Sequence, residues 1–138
     1  MKKLKWSPWV ALKTLDLTTI PPTSGVYQMR WAASGKPKPI NRANGVDESG
    51  MLYIGKTMNL KKRLKALYRG IVEERLTHTA AYTYMFDEFD KKFKPKELEV
   101  QWGEVPKDEI DDHEYVLMGE YIKAYLDNPP LNISRGRK

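Results

Sequence analysis

Residues 53–64 read YIGKTMNLKKRL, and this stretch decides the fold because it joins the end of a strand to the start of a helix. Residues 51–55 predict a short strand, and either Thr57 or Asn59 can cap the helix that follows. The apolar residues of that helix recur at i, i+4, i+7 and i+11, which predicts one buried face. They are Leu60, Leu64, Leu67 and Ile71.

Two further strands are predicted on either side of this stretch. In residues 25–31, Tyr27, Met29 and Trp31 alternate with more polar neighbours, which is typical of a strand with two different faces. Residues 98–103 show the same alternation. Residues 32–50 are rich in Gly, Pro, Asn and Ser and predict a long loop between two paired strands.

Helical periodicity accounts for much of the remaining chain. Residues 72–94 are predicted to be helical in part, and a helix is predicted from about residue 109 to residue 126 before Pro129-Pro130 stops it. Within residues 72–94 the core-like spacing involves Tyr82, Met85, Phe86 and Phe89.

The predicted fold class is therefore α/β (α+β), with a small three-stranded antiparallel sheet flanked by helices. Residues 1–24 are expected to form an N-terminal extension that packs on one domain, residues 25–138. A length of 138 residues with 41 % hydrophobic residues suits a single domain with its own core.

Composition excludes several classes of protein. No apolar run approaches the ~18 residues of a membrane span, and the basic N-terminus lacks the apolar core of a signal peptide. The chain has no cysteine, which excludes disulfides and thiolate metal sites. His78 and His113 are far apart in sequence, which argues against a histidine-based zinc site. We therefore expect no membrane partner and a cytoplasmic setting.

Charge is segregated along the chain. Residues 1–70 hold 14 Lys/Arg and 3 Asp/Glu, a net of +11, whereas residues 71–138 hold 10 Lys/Arg and 15 Asp/Glu, a net of −5. Such segregation favours a face that binds a polyanion. A solvated surface with chance clustering remains the alternative.

Three short motifs resemble one known family. They are Gly25-Val26-Tyr27, Tyr53-Ile54-Gly55-Lys56-Thr57 and Asn59-Leu60-Lys61-Lys62-Arg63-Leu64, followed by the tail Pro129-Pro130-Leu131-Asn132. Together they resemble the signature of a stand-alone GIY-YIG nuclease domain, from about residue 24 to residue 132.

The resemblance implies a compact α/β domain that cuts nucleic acid, with double-stranded DNA as the expected partner. It implies one divalent ion, Mg²⁺ or Mn²⁺, held by a glutamate on a later helix. Tyr27 and Tyr53 would activate or orient the attacking water, and Lys56 and Arg63 would stabilise the phosphate. The supporting residues would be Gly25, Gly55 and Asn132.

The residues themselves are compatible with this chemistry. A free tyrosine has a pKa of about 10, and a cation such as Lys56 near Tyr53 would favour the phenolate. At about 100° per residue, Arg63 falls about 60° to one side of Leu60, at the border of the buried face. Its basic neighbours project to solvent or to flanking phosphates: Lys61, Lys62, Lys65 and Arg69.

Two features depart from the family pattern. The segment between Tyr27 and Tyr53 is long, at 25 residues, and its basic residues form a predicted contact loop for nucleic acid. The position of the family glutamate, four residues before Ile122, is occupied by Met118, whose thioether is a poor ligand for a hard cation. The basic residues of the loop are Lys36, Lys38 and Arg42.

Two glutamates are candidates to replace the missing carboxylate. On the helical wheel Glu114 lies inside the inward apolar stripe and Glu120 lies off its edge, which favours Glu114. The distance to the Pro129–Asn132 tail favours Glu120 instead. We take Glu114 as the expected metal ligand and Glu120 as the alternative.

Three functions stay open at this point. The first is a metal-dependent endonuclease, the second a GIY-YIG-like module that binds nucleic acid without cutting it, and the third a protein-interaction domain on the same scaffold. The oligomeric state, the cleavage specificity and the choice between DNA and RNA do not follow from the sequence.

Overall fold

The computed structural model describes residues 3–75, 78–86 and 88–132, with the backbone alone for Thr79, Tyr82 and Phe86. Within these residues the strands are β1 (Val10–Ala11), β2 (Gly25–Ala33), β3 (Lys36–Pro37), β4 (Ile40–Arg42), β5 (Gly45–Asp47), β6 (Met51–Thr57) and β7 (Leu98–Glu104). The helices are α1 (Leu60–Ile71), α2 (Thr79–Phe86) and α3 (Ile110–Tyr125). Short 3₁₀ turns lie at Leu17–Thr19, Phe89–Lys91, Pro95–Glu97 and Lys107–Glu109.

The sheet is antiparallel and is built around β2. Strand β6 pairs with one side of β2, with Tyr27 opposite Gly55, and β7 pairs with the other side, with Tyr27 opposite Trp102. The predicted α+β class and the three long strands are thus confirmed. The strand count needs a correction, because short β1 pairs with β7 and short β3 pairs with β2 to make five strands.

The segment predicted as a long loop is more ordered than its composition indicates. It contains β3 and a separate two-stranded hairpin of β4 and β5. Buried Asp47 fixes the exit from this hairpin, because its carboxylate accepts hydrogen bonds from the Ser49 and Met51 N–H groups and from the Tyr121 hydroxyl. Polar turn residues dominate the composition here, but Ile40–Arg42 and Gly45–Asp47 pair with each other as antiparallel strands.

Helices cover both faces of the sheet. Helices α1 and α2 pack on the face that carries Tyr27 and Met29, in the largest apolar cluster. Helix α3 packs on the other face, where Met51, Ile54 and Tyr121 are buried together. The predicted N-terminal extension is part of this core, since Leu12 is 0 % exposed and β1 belongs to the sheet.

The helix boundaries follow local signals. Asn59 is the residue that caps α1, because its side chain accepts a hydrogen bond from the Lys62 N–H. Of the residues predicted to pack from residues 72–94, Met85 and Phe89 contact the core, whereas the side chains of Tyr82 and Phe86 lie outside the described residues. In the described part of the chain, no helix is both long and apolar enough to cross a bilayer.

Residue 55 has to be a glycine because the Tyr27 side chain lies too close to leave room for a Cβ atom. A Cβ added there would lie 2.5 Å from Tyr27 Cζ and 2.7 Å from its Oη. Because the Tyr27 ring is buried, we expect Gly55→Ala to lower the free energy of unfolding by about 1–3 kcal/mol. Urea denaturation measures this.

Gly119 offers the matched control for that substitution. It lies in α3, and an added Cβ would meet nothing within 4 Å. Gly119→Ala should raise the free energy of unfolding by roughly 0.5–1 kcal/mol. Equal effects of the two substitutions would contradict the close packing of Tyr27 over Gly55.

Candidate active site

The buried hydroxyl of Tyr27 is the centre of a polar cluster between the sheet and α1. Its oxygen lies 2.7 Å from His78 Nε2, and it accepts a hydrogen bond from Arg63 Nε at 3.3 Å. The Tyr27 side chain projects from β2 toward α1, Arg63 lies in the first turn of α1, and His78 immediately precedes α2. Three separate elements therefore converge on one oxygen atom.

The hydrogen bonds of His78 fix its tautomer. Its Nδ1 accepts a hydrogen bond from the Ala80 N–H at 2.9 Å, so the proton of the neutral ring is on Nε2. Nε2–H therefore donates to the Tyr27 oxygen. Burial, with a smaller effect from the Arg63 charge, lowers the pKa of His78 to about 3. His78 is thus a neutral hydrogen-bond donor across the physiological pH range.

This neutral histidine makes a pH-dependent contribution to stability. An unfolded histidine binds its proton near pH 6.5, whereas folded His78 has a pKa of about 3. Between these values the unfolded state binds the extra proton, so stability falls as pH falls, by up to about 1.4 kcal/mol per pH unit. We expect His78→Gln, which keeps an N–H donor, to remove this part of the slope.

Urea denaturation of both proteins between about pH 7 and pH 5 checks this prediction. The wild-type protein should lose stability more steeply than the variant as pH falls. Parallel slopes would show that His78 is not held neutral in the folded state.

Tyr53 extends the cluster from β6 toward solvent. Its ring centroid lies 5.9 Å from that of Tyr27 and 5.6 Å from that of His78. Because the Tyr27 oxygen accepts from His78 and Arg63, its own proton is available to the neighbouring Tyr53, and the Tyr27 hydroxyl lowers the pKa of Tyr53 as a donor would. Tyr27 is 1 % exposed and Tyr53 is half-buried, so Tyr53 is the hydroxyl that faces the open side of the site.

The environment disfavours ionisation of both phenols. Burial raises the pKa of Tyr27 above its ordinary range, the nearby Tyr53 raises it further, and the Arg63 charge opposes both effects. Burial also raises the pKa of Tyr53, while the hydrogen bond from Tyr27 and the Arg63 charge lower it. Both tyrosines are therefore neutral near pH 7 without a further cation.

An ion-pair cluster lies at the outer edge of β6. Lys56 Nζ is 2.6 Å from Asp111 Oδ1 and 3.6 Å from Glu114 Oε1, both on α3. Burial raises the pKa of Glu114, and Lys56 opposes this rise. The Glu114 charge in turn raises the pKa of Tyr53, although Lys56 lies opposite Val26 on the α3 face of the sheet and Tyr53 lies opposite Met29 on the α1 face.

The two candidate glutamates differ in their surroundings. Glu114 is half-buried beside Lys56, whereas Glu120 is exposed. Met118, at the position of the family glutamate, packs against the apolar cluster of Met51, Ile54 and Tyr121. A glutamate introduced at residue 118 would therefore meet apolar side chains first.

The donor chemistry at this edge suits a hard cation. Glu114 and Asp111 offer carboxylate oxygens, and Mg²⁺ is commonly held by one or two carboxylates together with substrate phosphate and water. Among residues 3–75, 78–86 and 88–132, no group of three or more His, Cys, Asp or Glu side chains is placed to hold a metal ion. A divalent ion here would therefore depend on the substrate for part of its coordination.

Asn132 completes the edge of β6. Its side chain accepts from the Ile54 N–H and donates to the Ile54 carbonyl, both at 2.9 Å. The neighbouring Leu131 N–H donates to the Leu52 carbonyl. Asn132 thus holds the backbone next to Tyr53 in place.

The predicted basic residues fall into two groups. Lys62 and Lys65 are exposed and Lys61 is half-buried on α1, the helix that carries Arg63. Lys36 and the neighbouring Lys38 lie apart from the site, because β3 pairs with β2 at Ala33, which is six positions and roughly 20 Å along the strand from Tyr27. Arg42 instead lines a cleft that also contains Asn132. The loop residues differ in their partners: Lys36 is exposed, Lys38 pairs with Glu97, and Arg42 pairs with Asp127.

Two members of the site were missed in the sequence. His78 has no motif around it, and only its fixed position before α2 brings it to Tyr27. Asp111 lies in an acidic run at the start of α3, a location that normally reflects the helix dipole. Its spacing of three residues from Glu114 is the signal that could have placed both carboxylates on one side of the helix.

Comparisons with protein-family models, with curated proteins and with solved structures found no match to this chain.

Proposed function

We propose that this chain is a metal-dependent endonuclease of the GIY-YIG type that hydrolyses phosphodiester bonds, with double-stranded DNA as its substrate. The observation that carries the proposal is the shared hydroxyl of Tyr27, which binds Arg63 and His78, with the Tyr53 ring beside it. Buried networks of this kind need every member satisfied. Tyr27 and His78 are buried within this network, whereas Tyr53 and Arg63 are only partly buried and can contact a substrate.

In this proposal Tyr53 orients the attacking water, and its phenolate, formed by release of the phenol proton to solvent, would accept a proton from that water. A phenolate at Tyr53 would receive the Tyr27 hydroxyl and the Arg63 guanidinium as donors. His78 would hold the Tyr27 oxygen from the far side, so that the Tyr27 proton stays directed at Tyr53. Tyr27 and His78 are then positioning residues, and Tyr53 is the residue that touches the water.

Arg63 supplies positive charge for the scissile phosphate. A guanidinium has five N–H donors, and the tyrosine hydroxyls use only part of them. The remaining donors can bind two phosphate oxygens in a fork. The bond from Nε to Tyr27 would keep the fork oriented before substrate arrives.

Glu114, with Asp111 beside it, would hold the divalent ion, which when bound lowers the pKa of a coordinated water and neutralises phosphate charge. Lys56 contacts both carboxylates in the free protein, but its single positive charge offsets only one of their two negative charges. The ammonium group of Lys56 lies on the same strand as Tyr53, so it can contact the phosphate backbone once substrate is bound. The exposed Lys62 and Lys65 add positive charge to α1, the helix that carries Arg63.

The direct test is incubation of supercoiled plasmid with the protein in Mg²⁺ or Mn²⁺, with EDTA as the control. We expect nicked and linear products in either metal and none in EDTA. Tyr53→Phe, which keeps the ring and removes the hydroxyl, should cut at least about 100-fold more slowly. Metal-independent nicking, or equal nicking by Tyr53→Phe, would indicate a contaminant or a different chemistry.

One observation favours a second function, binding of nucleic acid without cleavage. The Glu114 carboxylate is paired with a lysine, and the described residues include no cluster of three metal-ligating side chains. A salt-dependent mobility shift of duplex DNA with intact plasmid in both metals would support this function. Absence of any shift at low salt would contradict both proposals, because each requires phosphate contacts.

A further inference from the structure

The outward face of α3 carries large exposed apolar side chains among its charged residues, unlike that of α1. A surface helix normally turns charged residues to solvent, and α1 does so with Lys62 and Lys65. In α3 the side chains of Tyr115 and Leu126 are 81 % and 66 % exposed, and Val116 and Ile122 are also exposed. This apolar surface faces away from the sheet, and no other part of residues 3–75, 78–86 and 88–132 buries it.

These residues form a stripe that is symmetric about Gly119. At about 100° per residue, the residues within about 60° of Gly119 lie three, four and seven positions before and after it. They are Asp112, Tyr115, Val116, Ile122, Lys123 and Leu126. We name this set, with Gly119, the α3 stripe.

We propose that the α3 stripe is the interface of a homodimer, in which α3 packs antiparallel against α3 of a second copy across a two-fold axis at Gly119. Such pairing places Ile122 against Tyr115 of the second copy and Val116 beside Lys123 of the second copy. Two-fold pairing requires a surface complementary to itself, and the α3 stripe meets this requirement.

Gly119 allows the two helices to approach closely at the axis. A Cβ added to Gly119 would meet nothing within 4 Å, so its missing side chain leaves open space on the outside of the helix. Glycine in a helix interior costs stability relative to alanine. Packed helices lie about 8–10 Å apart, and the distance depends on the side chains between them. A close approach of two copies of α3 would therefore explain the glycine at this position.

Charge selects the antiparallel arrangement and a second copy as the occupant. Asp112 lies at one end of the α3 stripe and Lys123 toward the other, and in the described part of the chain neither has an ion-pair partner. An antiparallel copy brings Lys123 next to Asp112 of its partner in both halves of the dimer. A parallel copy would place like charges together.

The dimer has a consequence for cleavage, and that consequence alone rests on the proposed endonuclease function. Glu114 and Asp111 lie on α3 to one side of the α3 stripe, so the two-fold axis would relate two cleavage sites. The two strands of a DNA duplex are also related by two-fold axes. A dimer would therefore cut both strands in one encounter.

The test is sedimentation equilibrium of the full chain from about 1 to 500 µM, since one helix face gives a small interface with micromolar affinity. We expect the average mass to rise from the 16.0 kDa of one chain toward twice that value. Ile122→Glu and Gly119→Leu should stay monomeric over the same range. Val46→Glu, at an exposed apolar residue outside the α3 stripe, should dimerise like the wild type.

Reversing the charges of Asp112 and Lys123 tests the antiparallel arrangement more specifically. Asp112→Lys and Lys123→Asp should each weaken dimerisation about tenfold, and the double variant should restore it. A wild type that stays monomeric, a Val46→Glu effect equal to that of Ile122→Glu, or a double variant that fails to recover would overturn the proposal. If the chain dimerises but leaves plasmid intact, the endonuclease function is contradicted and the dimer is supported. If the chain stays monomeric but cuts plasmid, the dimer is contradicted and the endonuclease function is supported.

Discussion

Arg63→Ala should reduce cleavage of plasmid on the order of 100- to 1,000-fold, as expected for the loss of one group that stabilises the transition state. The substitution removes the guanidinium that binds the Tyr27 oxygen and that would bind the scissile phosphate. Arg63→Lys should recover only part of the activity, because an ammonium keeps the charge and loses the planar fork. Initial rates of nicking at saturating protein measure both effects.

Lys62→Ala is the matched control for Arg63→Ala. It removes the same charge from the adjacent position of α1, but Lys62 is exposed and points away from Tyr27. It should weaken DNA binding slightly and leave the rate at saturation unchanged. If Lys62→Ala slowed cleavage as much as Arg63→Ala, the role of Arg63 would be general attraction for DNA.

Glu114→Gln should reduce cleavage on the order of 100-fold or more, because the amide keeps the size of the side chain and removes the charge that would hold a divalent ion. Folding should be little affected, since Lys56 keeps its shorter contact with Asp111. As the pH is lowered, cleavage by the wild type should decline at a higher pH than it would with an ordinary glutamate, because burial raises the pKa of Glu114. Rates measured over a titration of Mn²⁺ separate weaker metal binding from slower chemistry.

Glu120→Gln is the control for the metal prediction. Glu120 is exposed on α3, and its replacement should leave cleavage and its metal dependence unchanged. The opposite pattern, with Glu120→Gln inactive and Glu114→Gln active, would transfer the role to Glu120. That result would favour the count from the Pro129–Asn132 tail over the helical wheel.

Much of the fold follows from local patterns in the sequence. The alternation around Tyr27 and the i, i+4 spacing after Asn59 depend on residues close in the chain, and both predict elements that the structure contains. Strand β1 could not be predicted in this way, because only two residues pair with β7. The β4–β5 hairpin was missed for a different reason: its turn residues are typical of irregular loops, and buried Asp47 stabilises it from within.

The site shows the same division between local and long-range information. The wheel placed Arg63 at the border of the buried face, and its Nε does reach Tyr27 there. His78 is 51 residues from Tyr27 in sequence, and no periodicity connects the two. The pairing of Lys56 with Asp111 likewise depends on how α3 crosses the edge of β6, which is a property of the packed sheet.

The hydrogen bonds between Asn132 and Ile54 also bear on how the chain avoids aggregation. On its outer side β6 would present a row of unpaired N–H and C=O groups, and such exposed edges recruit strands from other molecules. The carboxamide of Asn132 has the same donor and acceptor as a peptide unit, so it fills one position of an absent neighbouring strand. The residue proposed to support catalysis thus also protects an edge against unwanted strand addition, and it does so beside Tyr53, which a substrate would need to reach under the proposed function.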